Sequence, residues 1–272
     1  MGVLDLVRGG GEEDAWGYDA AYAARVQPVF DALYDQWWRV RSSGAEHVPT
    51  DGPALLVANH AGLLPWDAAM LTTAICRSWT EAGAPASRRP RFLVGDEAFD
   101  LPWLGVGVRK LGGVPAGPAN AARLLSEGHT VLAFPEGSGA AGKPWAHRYR
   151  LLRFGRGGFA ATAIRAGVPI IPCGIVGGEE AYPRLGQLPV LARLTRLPVF
   201  PVTPTFPLLG PLGLVPLPSK WRVAIGEPVP TAALGPTAAE DRAVVLALAE
   251  AVRSRVQDLV HEQLTQRAGA FL

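Results

Sequence analysis

The strongest constraint on the fold of this chain is an alternation of short apolar runs with stretches of helical periodicity. Ala54 to Ala58, Thr130 to Phe134 and Val168 to Val176 are almost wholly apolar, without the polar alternation of a half-exposed strand. Such runs suit strands covered on both faces, the usual condition of a parallel sheet. Shorter strand signals lie at Arg91 to Val94 and Arg222 to Ile225, and helical patterns run over Pro65 to Trp79, Ala119 to Glu127 and Gly157 to Ala166. The alternation predicts an α/β fold with a largely parallel central sheet flanked by helices. At the start, residues 1–40 form an N-terminal amphipathic helical segment in which Tyr22, Val26, Val29, Phe30, Leu33 and Trp37 recur at helical spacing over Asp19 to Arg39. Met1 to Asp14 read as a loose terminus, and Pro28 is expected to kink or divide the helix. At the end, a capping box of Thr237 and Glu240 precedes a helix whose apolar face carries Val244, Leu248, Val252, Val256 and Leu259.

Composition narrows the classes. The hydrophobic content of 49% excludes a disordered chain, and 272 residues are enough to bury a sizeable core. Lysine plus arginine exceed aspartate plus glutamate by only two, which argues against a nucleic-acid partner. Cys76 and Cys173 show no metal-ligand spacing and no disulfide framework, so a reduced, cytoplasmic setting is expected. Met1 to Glu13 lack the basic and apolar regions of a secretory leader. Leu197 to Pro218 is apolar and uncharged but is interrupted by prolines from Pro198 to Pro218, which a membrane-spanning helix would not tolerate. It reads instead, with the aromatic N-terminal helix, as surface for peripheral contact with a membrane.

Two constellations carry polar chemistry. Asn59-His60 stands just past the carboxyl end of one apolar run, with Asp67 in the first turn of the next helix. A loop between them can bring carboxylate to imidazole, fixing its tautomer and stabilising the imidazolium. Taken alone, His60 is better explained as a loop-capping histidine. Phe134-Pro135-Glu136-Gly137-Ser138-Gly139 follows a second apolar run; by itself it is a tight turn or a pocket where backbone approaches a polar ligand. Ser138 is not a nucleophile elbow, since Glu136 and Ala140 stand where glycines are required.

Together and in this order, the two blocks resemble those of the glycerolipid acyltransferase family, in the branch that includes acylglycerol acyltransferases. The resemblance runs over roughly residues 35 to 230. It takes in a middle block at Gly112 to Gly117, a last apolar block at Val168 to Pro172, and the glycine-rich Phe154 to Phe159 segment. It implies an acyltransferase domain over 41–272, with His60 as general base and Asp67 as its partner. Asn59, Phe134, Pro135, Glu136, Gly137 and Ser138 would contact substrate. Outside the family's blocks, the basic run Arg148 to Arg156 offers Arg153 and Arg156 as further substrate contacts, with a solvated or anionic-lipid-facing surface the equal alternative. It implies direct attack of a glycerolipid hydroxyl on an acyl thioester, acyl-CoA or acyl carrier protein, without an acyl-enzyme and without metal or other cofactor. The expected partners are a lipid acceptor, the thioester and a membrane surface, met from the cytoplasmic, inner face.

The chain departs from the family at three places. Six residues rather than four separate His60 from Asp67, and Gly117 and Gly139 stand where the family carries phosphate-binding arginines. Their loss favours a neutral acceptor such as mono- or diacylglycerol. A lipid or thioester hydrolase and a non-catalytic lipid-binding relic are the other classes. Identifying the product (new ester, free acid or nothing) separates the three.

Overall fold

The computed structural model describes residues 11–61, 64–100, 104–188, 190 and 200–271. Most of the expected loose terminus, the start of the Leu197 to Pro218 stretch and the Ser138 side chain lie outside the described parts. Nine strands are present among them: β1 (Arg41–Ser43), β2 (Ala54–Ala58), β3 (Arg91–Val94), β4 (Gly113–Pro115), β5 (Thr130–Ala133), β6 (Ile170–Val176), β7 (Gly186–Gln187), β8 (Pro201–Val202) and β9 (Arg222–Ile225). The helices are α1 (Ala20–Ala32), α2 (Trp66–Glu81), α3 (Leu104–Lys110), α4 (Pro118–Ser126), α5 (Gly158–Ala166), the single turn α6 (Gly178–Ala181) and α7 (Arg242–Thr265).

Seven strands form one sheet in the order β1-β9-β6-β2-β5-β3-β4, while β7 and β8 make a separate hairpin. Neighbours are parallel except β6 and β9. Side chains of a strand alternate between faces. Ala54, Leu56 and Ala58 therefore join Ile171, Cys173 and Ile175 against α2 and the residues after α1, including Met70, Leu71, Ile75 and Trp38. Leu55 and Val57 join Val131, Ala133 and Ile170 against α4, α5 and α7 on the other side. All five residues of β2 are buried, which accounts for its unbroken apolar run. β1 and β4, three residues each, are too short to announce themselves by periodicity.

Three local expectations need correction. Helix α1 runs through Pro28 instead of dividing there, opened by Asp19, whose Oδ1 accepts the Tyr22 N–H at 2.8 Å. It continues into a π-helical turn, Leu33–Trp37. Tertiary packing over-rides the proline: Tyr22, Val26, Tyr34 and Trp38 are buried, and only Val29 and Trp37 of the apolar series show substantial surface. The capping box fails because Thr237 and Glu240 belong to a 3₁₀ segment, Pro236–Glu240; the cap is Asp241, whose carboxylate accepts the Ala243 N–H at 2.8 Å. With the start moved, Val245, Ala249, Val252, Val256 and Val260 line the buried face of α7. Val252 and Val256 are shared with the expected face, while Val244 and Leu248 flank it, half-buried.

Beyond α6 the chain builds an apolar lobe from the β7–β8 hairpin and the uncharged stretch up to Pro218. Leu208 and Leu212 are 83% and 72% exposed, and Leu209, Leu214 and Val215 also face outward. The lobe is tied to the body by Tyr182 Oη–H to Leu214 O (2.8 Å), Leu217 N–H to Ala181 O (2.9 Å) and Trp37 Nε1–H to Pro216 O (3.0 Å).

Candidate active site

The carboxyl ends of three adjacent strands, β6, β2 and β5, deliver Glu179, His60 and Glu136 to one edge of the sheet. This edge is where open α/β sheets place functional groups, because their connecting loops leave a crevice there. His60 Nδ1 lies 2.8 Å from Asp67 Oδ2, and the same oxygen accepts the Ala61 N–H at 2.8 Å. The carboxylate accepts, so Nδ1 carries the hydrogen and Nε2 keeps its lone pair. The His60 side chain is 21% exposed while that of Asp67 is 2% exposed. The pair thus has an accessible imidazole backed by a buried carboxylate. Phe134 lies beside the imidazole at 5.1 Å between ring centres.

Six intervening residues do not separate the pair. The longer connection turns back at Leu64, whose carbonyl accepts the Trp66 N–H at 2.8 Å, and α2 begins one residue before Asp67. Gly178, just after β6, permits the close approach behind the pair. A Cβ there would stand 2.8 Å from Asp67 Oδ1 and 2.7 Å from Ala61 Cβ. Asp67 Oδ1 is buried and finds no hydrogen-bond donor among the described residues.

Glu136 is spent inside the protein. Its Oε1 accepts the His60 N–H at 3.1 Å, its Oε2 accepts the Leu152 N–H at 2.9 Å, and the side chain is fully covered. It fixes the His60 loop to the segment after β5. Asn59 is likewise engaged at both ends of its amide, donating to Ile175 O at 2.8 Å and accepting from Ile175 N–H at 2.7 Å. It locks the end of β2 to β6. Both residues, expected to contact substrate, hold the backbone that carries His60. Gly137, at φ +59°, turns the chain out of β5 into a 3₁₀ segment, Gly137–Gly142, that contains Ser138; Pro135 lies in the preceding turn.

The sequence reading missed Lys143 and Glu179. Lys143 Nζ stands 3.1 Å from Glu179 Oε1 and 3.4 Å from Glu136 Oε2. Glu179 Oε1 also accepts the Tyr149 N–H at 3.0 Å, and burial raises its carboxyl above the usual range, with Lys143 opposing. A lone lysine in a small-residue loop carries no motif. Glu179 had one available signal, its position directly past a buried strand. Beside this network lies a cleft of about 310 Å³ lined by Gly139, Lys143, Pro144, His147, Arg150, Leu151 and Leu152. Arg153 and Arg156 are exposed, and the positive charge of Arg153 falls on Glu250 of α7. Among the described residues, no three His, Cys, Asp or Glu side chains converge as a metal site.

The family model for acyltransferases matches residues 39–176, half of the chain, and spans the His60, Asp67 and Glu136 positions. The chain belongs to the acyltransferase family. This acyltransferase is 47% identical over 259 residues to an uncharacterized protein of Mycobacterium tuberculosis, covering 95% of this chain and 71% of the relative. An uncharacterized Mycobacterium leprae protein is 46% identical over the same length, covering 95% and 69%. In fold, the acyltransferase is similar to the crystal structure of the 1-acyl-sn-glycerophosphate acyltransferase PlsC from Thermotoga maritima. That match has a TM-score of 0.59 and 21% identity, and covers 92% of this chain and 83% of that one.

Proposed function

We propose that this acyltransferase moves a fatty acyl group from an acyl thioester, acyl-CoA or acyl carrier protein, to a glycerolipid hydroxyl, with His60 as general base. The observation that carries the reading is the 2.8 Å contact between His60 Nδ1 and a buried Asp67, which leaves Nε2 as the free basic atom. Nε2 takes the acceptor proton as the hydroxyl oxygen attacks the thioester carbonyl. The carbon–sulfur bond then breaks, and the imidazolium returns the proton to the departing sulfur. A thioester is reactive enough that a positioned base suffices, and general-base catalysis of this kind contributes about 10²–10⁴-fold. No acyl-enzyme is required. The cleft lined by Lys143 and Leu152, both of which contact Glu136, is the seat assigned to one substrate. Incubation of purified protein with labelled acyl thioester and acceptor tests the reading: new ester supports it, whereas free acid alone marks a hydrolase.

A neutral acceptor, mono- or diacylglycerol, is favoured over a phosphorylated one. A Cβ at Gly117 would meet nothing within 4 Å, and one at Gly139 only Leu152 at 3.4 Å. Packing therefore leaves room for side chains at both positions, so the missing arginines are a chemical difference and not a steric one. Lysophosphatidate should be the poorer acceptor, and Gly117→Arg should improve its use relative to monoacylglycerol. A wild-type preference for lysophosphatidate that Arg150→Ala abolishes would instead assign the phosphate to the cleft rim.

The protein acts at a membrane surface, on the cytoplasmic face, through the apolar lobe with Trp37 at its edge. Among the described residues no helix is long and apolar enough to cross a bilayer. Leu208, Leu209, Leu212, Leu214 and Val215 present apolar surface without a charge between Phe200 and Pro218. A surface of this kind favours partition into the headgroup region.

A further inference from the structure

We propose that Lys143 is a positioning residue for His60: its buried ammonium binds Glu136 and Glu179 together, and so fixes the backbone from which the base acts. The inference rests on His60 being the base, and extends that reading to a residue outside both motif blocks. Lysine is seldom fully buried, because the charge must leave water. The Lys143 side chain is 3% exposed, and the two carboxylates it meets are 0% and 10% exposed. Each carboxylate is also tethered to backbone: Glu136 to the amides of His60 and Leu152, Glu179 to that of Tyr149. Lys143 therefore closes a ring that joins the His60 loop, the loop after β5, the Tyr149–Leu152 segment and the start of α6.

Remove the ammonium, and two buried carboxylates face each other with no cation between them. The remaining charged groups near this cluster do not replace it. Arg184 feels the charge of Glu179 but hydrogen-bonds to Ala140 O, while Arg267 is paired with Glu180, on the far side of Tyr149. Like charges in a low-dielectric site repel strongly, so one carboxylate must take up a proton or move away. Movement of Glu136 releases the His60 N–H, and the imidazole loses its fixed position. Glu179 already titrates high because of burial, and Lys143 is the largest influence holding it down. Without Lys143 it titrates higher still. At low pH it is then neutral and the repulsion vanishes; as pH rises it ionises and the site is forced apart.

The test compares wild type with Lys143→Met, Glu179→Gln and the double variant in acyl transfer, with His60→Ala measured alongside. Lys143→Met is expected to lower kcat by about 10²-fold at neutral pH, within the range for misplacing a general base, with KM for both substrates changed less than about threefold. Its activity relative to wild type should rise as pH falls, a dependence that simple loss of packing would not produce. Lys143→Met/Glu179→Gln restores the wild-type formal charge of the cluster and should recover about tenfold of the lost kcat. Lys143→Met with kcat within about twofold of wild type overturns the proposal, as does a folded double variant no better than the single one. Should Lys143→Met fail to fold, a folded double variant with wild-type kcat overturns it equally, because the lysine would then be dispensable once charge is balanced. A dead His60→Ala beside a fully active Lys143→Met refutes only the role of Lys143, whereas an active His60→Ala refutes the base and this inference with it.

Discussion

The edge of the sheet at His60 and the apolar lobe beyond α6 are built on opposite principles. At the edge three polar side chains are turned into the protein: Asn59 braces Ile175, Glu136 ties His60 to Leu152, and Asp67 backs the imidazole. The lobe turns apolar side chains outward, with Leu208 and Leu212 among the most exposed apolar residues of those described. One region gives up solvent contact to gain fixed geometry. The other keeps apolar surface in water, a cost that a lipid surface would relieve. Proton transfer demands placement to a fraction of an ångström, whereas partition into lipid demands only area, and under the proposed function the two regions divide those tasks.

The comparison breaks most sharply at His60. His60→Ala should reduce acyl transfer by about 10³-fold while leaving the melting temperature unchanged, because the imidazole is partly exposed and contributes little to the core. Activity above roughly a tenth of wild type in a steady-state assay removes it as the base. Asp67→Asn should cost about 10²-fold, since an amide can present the wrong hydrogen-bonding group to Nδ1 and reverse the tautomer. A smaller lesion is expected from Gly178→Ala. Its new Cβ intrudes on Asp67 Oδ1 and Ala61, so kcat should fall by about tenfold with KM little changed.

At the lobe the pattern should invert. Leu208→Glu/Leu212→Glu is expected to abolish flotation with phospholipid vesicles, yet leave turnover of a short-chain, water-soluble acceptor within about twofold of wild type. Equal losses in both assays would show that the lobe serves the fold and not the membrane. Deleting residues 1–40 is not a clean alternative, because Tyr22, Tyr34 and Trp38 are core residues and their removal should unfold the protein. The smallest effect belongs to neither region. Asp241→Ala should lower stability by about 1 kcal/mol through loss of the α7 cap, read as a melting shift of about 2 °C without change in kcat.

The sequence by itself determined the layered α/β architecture, because a strand buried on both faces must be almost wholly apolar, and β2, β6 and, after Thr130, β5 are. It also made His60 and Asp67 the candidates for base and partner, because the two blocks taken together resemble acyltransferase motifs. Local chemistry was less decisive wherever two segments competed. Thr237 with Glu240 satisfies a capping pattern, but Asp241 satisfies the helix that packs, and Pro28 sits inside a helix because aromatic residues on either side of it are buried. Only the tertiary structure decided that a six-residue connection still closes the His60–Asp67 contact, and that Glu136 and Asn59 hold backbone. Lys143 meets Glu136 seven residues upstream and Glu179 thirty-six residues downstream. An ion pair spanning a crossover leaves no periodicity in the chain, because its partners become neighbours only after β5 and β6 have flanked β2 in the sheet.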